Sequence, residues 1–266
     1  MKRVQLFEFE DFGWFPAWLR ACMTNLLMVL LKMMGVPKVL AASIAKILKE
    51  HKIDTIVDLG SGSGGAMPEV LEILHQEMDL PKSKLILTDL YPNPDTIQKF
   101  KSNNHINYLE TSVDATNIAL APAGLKTMVN SFHHMPPKAA KQILKSAQES
   151  NQPILIYEMA ENKMPLLLWW ILLPISLPIL MVMSLFMTPL VKPLKWQQLV
   201  FTYLVPIIPI FYAWDGQASM PRLYALKDYD ELLDGLQLDN YRWEKGLAKK
   251  ENGKTLGTYC LGVPVK

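Results

Sequence analysis

Charge is scarce in this chain, and cysteine is scarcer. Only 20% of its 266 residues are Asp, Glu, Lys or Arg, against 50% hydrophobic residues, and the formal net charge is +2. A balance so near neutral gives no general attraction to a polyanion, so nucleic acid is not an expected partner. The two cysteines, Cys22 and Cys260, fall in what read as an apolar helix and a terminal strand. Neither has a second ligand at metal-binding spacing, and they read as core or surface thiols rather than a disulfide. The stretch Met1 to Asp11 mixes acids and aromatics and lacks the basic, apolar, small-residue order of a secretory signal, so export is not expected. No internal repeat is visible, and nothing in the pattern fixes an oligomeric state. The longest gaps are in charge itself: residues 164–191 and 196–214 contain none, with Lys192-Pro-Leu-Lys195 between them.

What is present is organised around Thr55-Ile-Val-Asp-Leu-Gly-Ser-Gly-Ser-Gly-Gly-Ala66. A short β-branched run ends at Asp58 and Leu59 and gives way to glycine at 60, 62, 64 and 65. The apolar positions Val70, Leu71, Ile73 and Leu74 follow at helical spacing. This is a buried strand, a glycine turn and a helix start, the layout that brings a cofactor against backbone N–H groups. Gly60, Gly62 and Gly65 also satisfy the G-x-G-x-x-G pattern of nicotinamide and flavin folds, so the glycines alone do not choose a cofactor. Asp58 helps to choose: at the carboxyl end of the strand it would repel a pyrophosphate but could pair with a ligand ammonium.

Further strands follow in order. Lys84 to Asp89 ends in a second acid, placed to accept hydrogen bonds from ribose hydroxyls, with Leu90 after it. Ile106 to Leu109 is a weaker third strand and leads to a loop holding Asp114 and Ala115. Leu125 to Val129 is the fourth and runs into Asn130-Ser-Phe-His-His-Met-Pro-Pro137, then a helix over 138–149. His133 and His134, at a strand's carboxyl end, are candidate general bases near neutral pH or, equally, loop-ordering groups. No third ligand lies near them in sequence, so a metal is not expected. Pro153 to Glu158 is the fifth strand, with Glu161 and Asn162 beyond it. After a short helix at 228–236, the alternating runs Tyr241 to Lys249 and Thr255 to Val263 form a hairpin about the Glu251-Asn-Gly253 turn.

Asp58-x-Gly60-x-Gly62-x-Gly64, the acids after strands two and three, the strand-four loop and the terminal hairpin together resemble the class I S-adenosylmethionine (SAM)-dependent methyltransferases. The resemblance covers residues 55–160 and 228–263. It implies an α/β Rossmann-like fold, a seven-stranded doubly wound sheet whose last strand is antiparallel. It also implies SAM as cofactor, with Asp58, Gly60, Ser61 and Gly62 at its methionine end, Asp89 and Leu90 at the ribose, Asp114 and Ala115 at the adenine edge, and Asn130 near the methyl-bearing sulfur. A membrane-associated nicotinamide-dependent reductase and a non-catalytic SAM- or nucleotide-binding membrane protein are the other readings.

The flanks lie outside the resemblance. The expected division is an N-terminal amphipathic, interfacial helix within 1–37, a SAM-binding core over 38–163, a hydrophobic hairpin over 164–214 and the rest of the core over 215–266. In the first helix Phe15, Leu19, Met23, Leu26, Leu30, Met33 and Met34 oppose Arg20, Thr24, Asn25 and Lys32, with Trp14 and Trp18 suited to a membrane interface. Each uncharged run is long enough to cross hydrocarbon, but six prolines puncture the pair, so a kinked, re-entrant hairpin is expected. Asp215, Ser219, Arg222 and Tyr224 after it are placed to meet a polar head group or to act as linker. The expected function is methyl transfer to a lipophilic or lipid acceptor, with the catalytic part on the cytoplasmic face of a membrane.

Overall fold

The computed structural model describes residues 1 and 3–265. In chain order the elements are α1 (Ala17–Met34), α2 (Val36–His51), β1 (Thr55–Leu59), α3 (Met67–Gln76), β2 (Lys84–Thr88), α4 (Pro94–Phe100), β3 (Ile106–Tyr108), β4 (Leu125–Val129), α5 (Pro137–Glu149) and β5 (Ile154–Glu158). Then come α6 (Leu166–Met187), α7 (Trp196–Leu199), α8 (Ile207–Arg222), α9 (Asp228–Leu233), β6 (Tyr241–Lys249) and β7 (Thr255–Pro264). The chain divides into two compact units. The first holds Met1, Gly35–Ala160 and Leu226–Lys266; the second is formed by Lys2–Met34 and Glu161–Ala225.

The first unit is a seven-stranded sheet in the order β3-β2-β1-β4-β5-β7-β6. The first five strands are parallel; β7 enters antiparallel between β5 and β6. This is the expected sheet. Sequence explains its construction: β1 and β5 are buried along almost their whole length, as an apolar run flanked on both faces requires. Helices start where the backbone donor is dispensable, with Pro68, Pro94 and Pro137 in their first turns. α4 is also capped by Asn93, whose side chain accepts from the Thr96 N–H. The strand order brings the carboxyl ends of β2, β1, β4 and β5 side by side, and the candidate site is built on those ends.

The second unit packs α1 with α6 and α8 around Phe15, Leu19, Cys22, Met23, Leu26, Met187, Val191, Ile208 and Tyr212. The apolar stripe expected on α1 is buried through Leu26, but Met33 and Met34 are exposed at 62% and 40%. Pro174 and Pro178 lie inside α6 without ending it; the sharp break falls at Val205-Pro206, where Trp196–Leu204 and α8 meet at 87°. By length and composition, α1 and Leu166–Leu190 could each cross a membrane, with mean hydropathies of 1.3 and 2.3. Large side chains point outward along the insert, among them Leu167 at 74%, Ile171 at 62%, Phe186 at 76% and Leu204 at 77% exposed.

The polar stretch after the insert differs from the sequence expectation. α8 continues through it to Arg222, so Asp215 and Arg222 are helical and buried rather than facing a head group. The Arg222 guanidinium pairs with Glu8 at 2.9 Å and Asp11 at 2.6 Å, while Asp215 accepts from the N–H groups of Phe9 (2.8 Å) and Glu10 (3.1 Å). A buried charge needs such partners, and these come from the other end of the chain, which no local reading could supply.

Candidate active site

The glycine turn after β1 adopts positive φ at Gly60 (68°), Gly62 (53°), Gly64 (97°) and Gly65 (49°), a run of left-handed backbone that side chains disfavour. A Cβ on Gly64 would meet Leu87, Pro68 and Phe100 at ordinary contact distance, whereas one on Gly62 would meet nothing within 4 Å. Gly64 is therefore required by its φ rather than by space, and Gly62 turns toward open space where a ligand can approach.

Two carboxylates hold this loop. Asp89, just past β2, accepts from the Gly62 N–H at 2.8 Å and from the Tyr91 N–H at 2.9 Å. Each oxygen keeps lone-pair capacity for a hydroxyl donor. Asp58 lies deeper, 4% exposed, and accepts from Ser61 Oγ and Thr127 Oγ1, both at 2.7 Å. Burial pushes its carboxyl up to about 7; the hydrogen bonds from Ser61 and Thr127 oppose the rise and the charge of Asp89 adds to it. Tyr108, from the end of β3, donates to Gly62 O at 3.0 Å, and burial followed by the neighbouring Asp89 raises its phenol to about 12.

The residues expected at the adenine edge reach this group through backbone. The Val113 N–H donates to Asp89 O at 2.9 Å and Ser112 Oγ to Leu90 O at 2.7 Å, which sets Asp114 and Ala115 beside Asp89 and the half-exposed Leu90. The Asp114 carboxylate turns into its own loop, accepting from Thr116 N–H at 2.8 Å and Thr116 Oγ1 at 2.7 Å. It edges the site rather than entering it.

Beyond β4, Asn130 adopts φ 51°, donates its N–H to Tyr157 O and accepts from the Met159 N–H at 2.7 Å. Its amide is thereby oriented, yet Asn130 Nδ2 and Ser131 Oγ are buried without a hydrogen-bond partner. Ser131 stands opposite Gly60, whose Cβ would lie 3.8 Å from Ser131 Oγ. Buried polar groups of this kind ask for a ligand or water. His133 and His134 form a short 3-10 turn with rings 4.3 Å apart. Glu158, at the end of β5, grips His133 twice, accepting from its N–H at 2.9 Å and contacting Nδ1 at 2.9 Å; both residues are buried.

The expected residues Asp58, Gly60, Ser61, Gly62, Asp89, Leu90, Asn130 and His133 thus share one edge of the sheet. The role of Glu158 was not visible in sequence, nor were those of Tyr108, Thr127 and Ser131. Their signal was available only in part: hydroxyls and an acid at strand ends become neighbours once β4 is known to lie between β1 and β5.

No protein-family model matches the chain, and no curated protein matches it in sequence. Among solved structures it is similar to the plantazolicin methyltransferase BpumL in complex with SAH, at 10% identity over 93% of this chain and 98% of that one, with TM-score 0.52. It also aligns with an O-methyltransferase family protein from Burkholderia thailandensis, at 12% identity over 87% of this chain and 57% of the other, with TM-score 0.45. The first likeness carries the comparison, and it concerns the fold: this chain has the class I SAM-dependent methyltransferase fold.

Proposed function

We propose that the chain is a SAM-dependent methyltransferase whose acceptor is a lipophilic small molecule or lipid met at a membrane. The observation that carries the cofactor reading is the Gly62 loop pinned between Asp58 and Asp89. It offers carboxylates to an ammonium and to ribose hydroxyls, and the Gly60–Gly65 turn contains no cationic residue for a pyrophosphate. In this reading Asp58, Gly60, Ser61 and Gly62 bind the methionine end, Asp89 and Leu90 the ribose, and Asp114 and Ala115 the adenine edge. Asn130 stands by the reacting centre. Bound SAM supplies an electrophilic methyl on a sulfonium that is already a good leaving group. The protein's own residues then have to align the acceptor and, for a hydroxyl, remove a proton. Glu158 on Nδ1 of His133 favours the tautomer whose Nε2 is basic, which makes His133 the base and Glu158 its positioning residue; His134 is the second candidate.

The lipophilic acceptor is inferred from topology. The uncharged insert leaves the chain directly after β5, at the sheet edge where the site lies, and its outward side chains are too apolar to leave in water. The catalytic unit is assigned to the cytoplasmic face.

The test is transfer of labelled methyl from SAM into a total lipid extract, beside calorimetric titration of SAM and its demethylated product. Asp89→Ala should weaken cofactor binding by about ten- to a hundredfold, the value of a lost charge-assisted hydrogen bond. His133→Ala should lower turnover by about 10²–10⁴-fold with cofactor affinity unchanged. Binding of NAD(H) but not SAM overturns the reading in favour of a reductase, and SAM binding without turnover on any lipid extract reduces the chain to a binding protein.

A further inference from the structure

Two long stretches of the second unit carry charge of one sign only. From Phe12 to Met34 and from Asn162 to Trp214 there is no Asp or Glu, while Arg20, Lys32, Lys163, Lys192 and Lys195 are all present. Lys163 is paired with Glu161 at 2.7 Å, and Arg20 donates to the carbonyls of Glu10 and Phe12. Lys192 and Lys195, both exposed in the turn between α6 and α7, are in no ion pair among the described residues.

Aromatic rings collect around that turn. Trp196 is 63% exposed, and the Phe201 ring lies 6.3 Å from it and 4.6 Å from the ring of Trp18. Val191, next to Lys192, shares a core with Phe15, Leu19 and Cys22, so the start of α1 and the lysine turn lie at one end of the unit. Trp14, in the turn that precedes α1 and four residues before Trp18, is exposed there as well. Exposed Leu190, Leu194 and Leu199 border the lysines.

Tryptophan rings at the boundary of an aliphatic surface, with lysine heads beside them, match the layering of a bilayer: hydrocarbon below, polar head groups above. The charge adds a selection. An aliphatic border carrying two lysines in no ion pair among the described residues complements head groups that are negative, and a nucleic acid or acidic protein would leave the aliphatic border uncovered. We propose that the Lys192–Trp196 turn, together with Trp14 and Trp18, is a docking surface for anionic phospholipid head groups. The proposal rests on the membrane contact argued above and adds the head-group chemistry.

The experiment is flotation of the full chain with phosphatidylcholine vesicles, with and without phosphatidylserine, at low and high salt. Binding should be tighter to the phosphatidylserine vesicles, and salt should erase the difference, because such attraction is screened within a Debye length. Lys192→Gln with Lys195→Gln should lose about fivefold per lysine on phosphatidylserine vesicles and nothing on phosphatidylcholine alone. Trp196→Ala should weaken binding to both. Unfolding curves of the variants keep misfolding apart from lost contact, and the salt dependence of the unaltered chain needs no variant at all. Equal, salt-insensitive binding to both vesicles overturns the head-group proposal and leaves the membrane reading standing. Failure to float with either overturns both.

Discussion

Asp58 occupies a place that favours its protonated form, and this has consequences for both stability and binding. Its carboxyl titrates near 7 in the fold, well above the ordinary carboxylate value, because burial outweighs the hydroxyls of Ser61 and Thr127. A raised pKa means the folded chain holds this proton more tightly than the unfolded one. The associated stability is complete below the ordinary value and is lost as pH rises through 7. One such proton gives a slope of at most about 1.4 kcal/mol per pH unit, between about pH 4 and 7. A ligand ammonium would favour the ionised form. Affinity for the demethylated cofactor should therefore rise with pH over the same window and flatten above it. Urea unfolding and calorimetric titration across that range should show both trends, and Asp58→Asn should flatten both. A cofactor affinity in the unaltered chain that ignores pH would remove the ammonium pairing from the account.

At the scale of elements, β7 binds the sheet and the site together. Gly257, at its start, has φ 97°, and a Cβ there would overlap the carbonyl oxygen of Glu158 and come within 2.9 Å of Met159 Cα. Gly257→Ala must shift β7 or the end of β5. The cost should be about 1–3 kcal/mol in denaturant unfolding, on the scale of strained glycine replacements. Because Glu158 carries His133, turnover should fall more than cofactor affinity does. Elements of this kind were largely legible in sequence. Strands such as Ile154–Glu158 are short apolar runs bounded by turn residues, and Pro68, Pro94 and Pro137 mark helix starts. The glycine loop was legible because its four glycines fall within the six residues from 60 to 65. The His133–Glu158 pair was not, since the two residues stand 25 positions apart and meet only because β4 and β5 are adjacent. The burial of Arg222 escaped for the same reason at greater range: Asp11 lies 211 positions away. α8 continuing past Asp215 was hidden by polarity, which on a surface means a loop but here is absorbed by the N-terminal arm.

For the molecule as a whole, the apolar insert is not a detachable hairpin. α1 buries Leu19, Met23 and Leu26 against Met187, Ile208 and Tyr212, so cutting out 164–212 alone would strip that helix of its partners. Such a shortened chain should aggregate. Removing residues 1–34 as well, and bridging 160 to 226 with a polar linker, should yield a soluble chain that still binds SAM, since Asp58, Asp89 and Asn130 belong to the other unit. Light scattering and cofactor titration of the two shortened chains check this. Aggregation of both would mean that the sheet unit depends on the insert.

The position of β7 also bears on how the protein is made. Glu158 pairs with Thr258, and the residues between them include the whole insert. During vectorial synthesis, β5 therefore leaves the ribosome long before the strand that will cover its edge, and Leu166–Met187 emerges in the interval. An uncovered parallel edge next to a nascent apolar helix is an invitation to aggregate. Closing so long a loop is also slow compared with local folding. The insert is therefore synthesised while the sheet is still five strands wide, so its apolar helices are on hand before the sheet is finished.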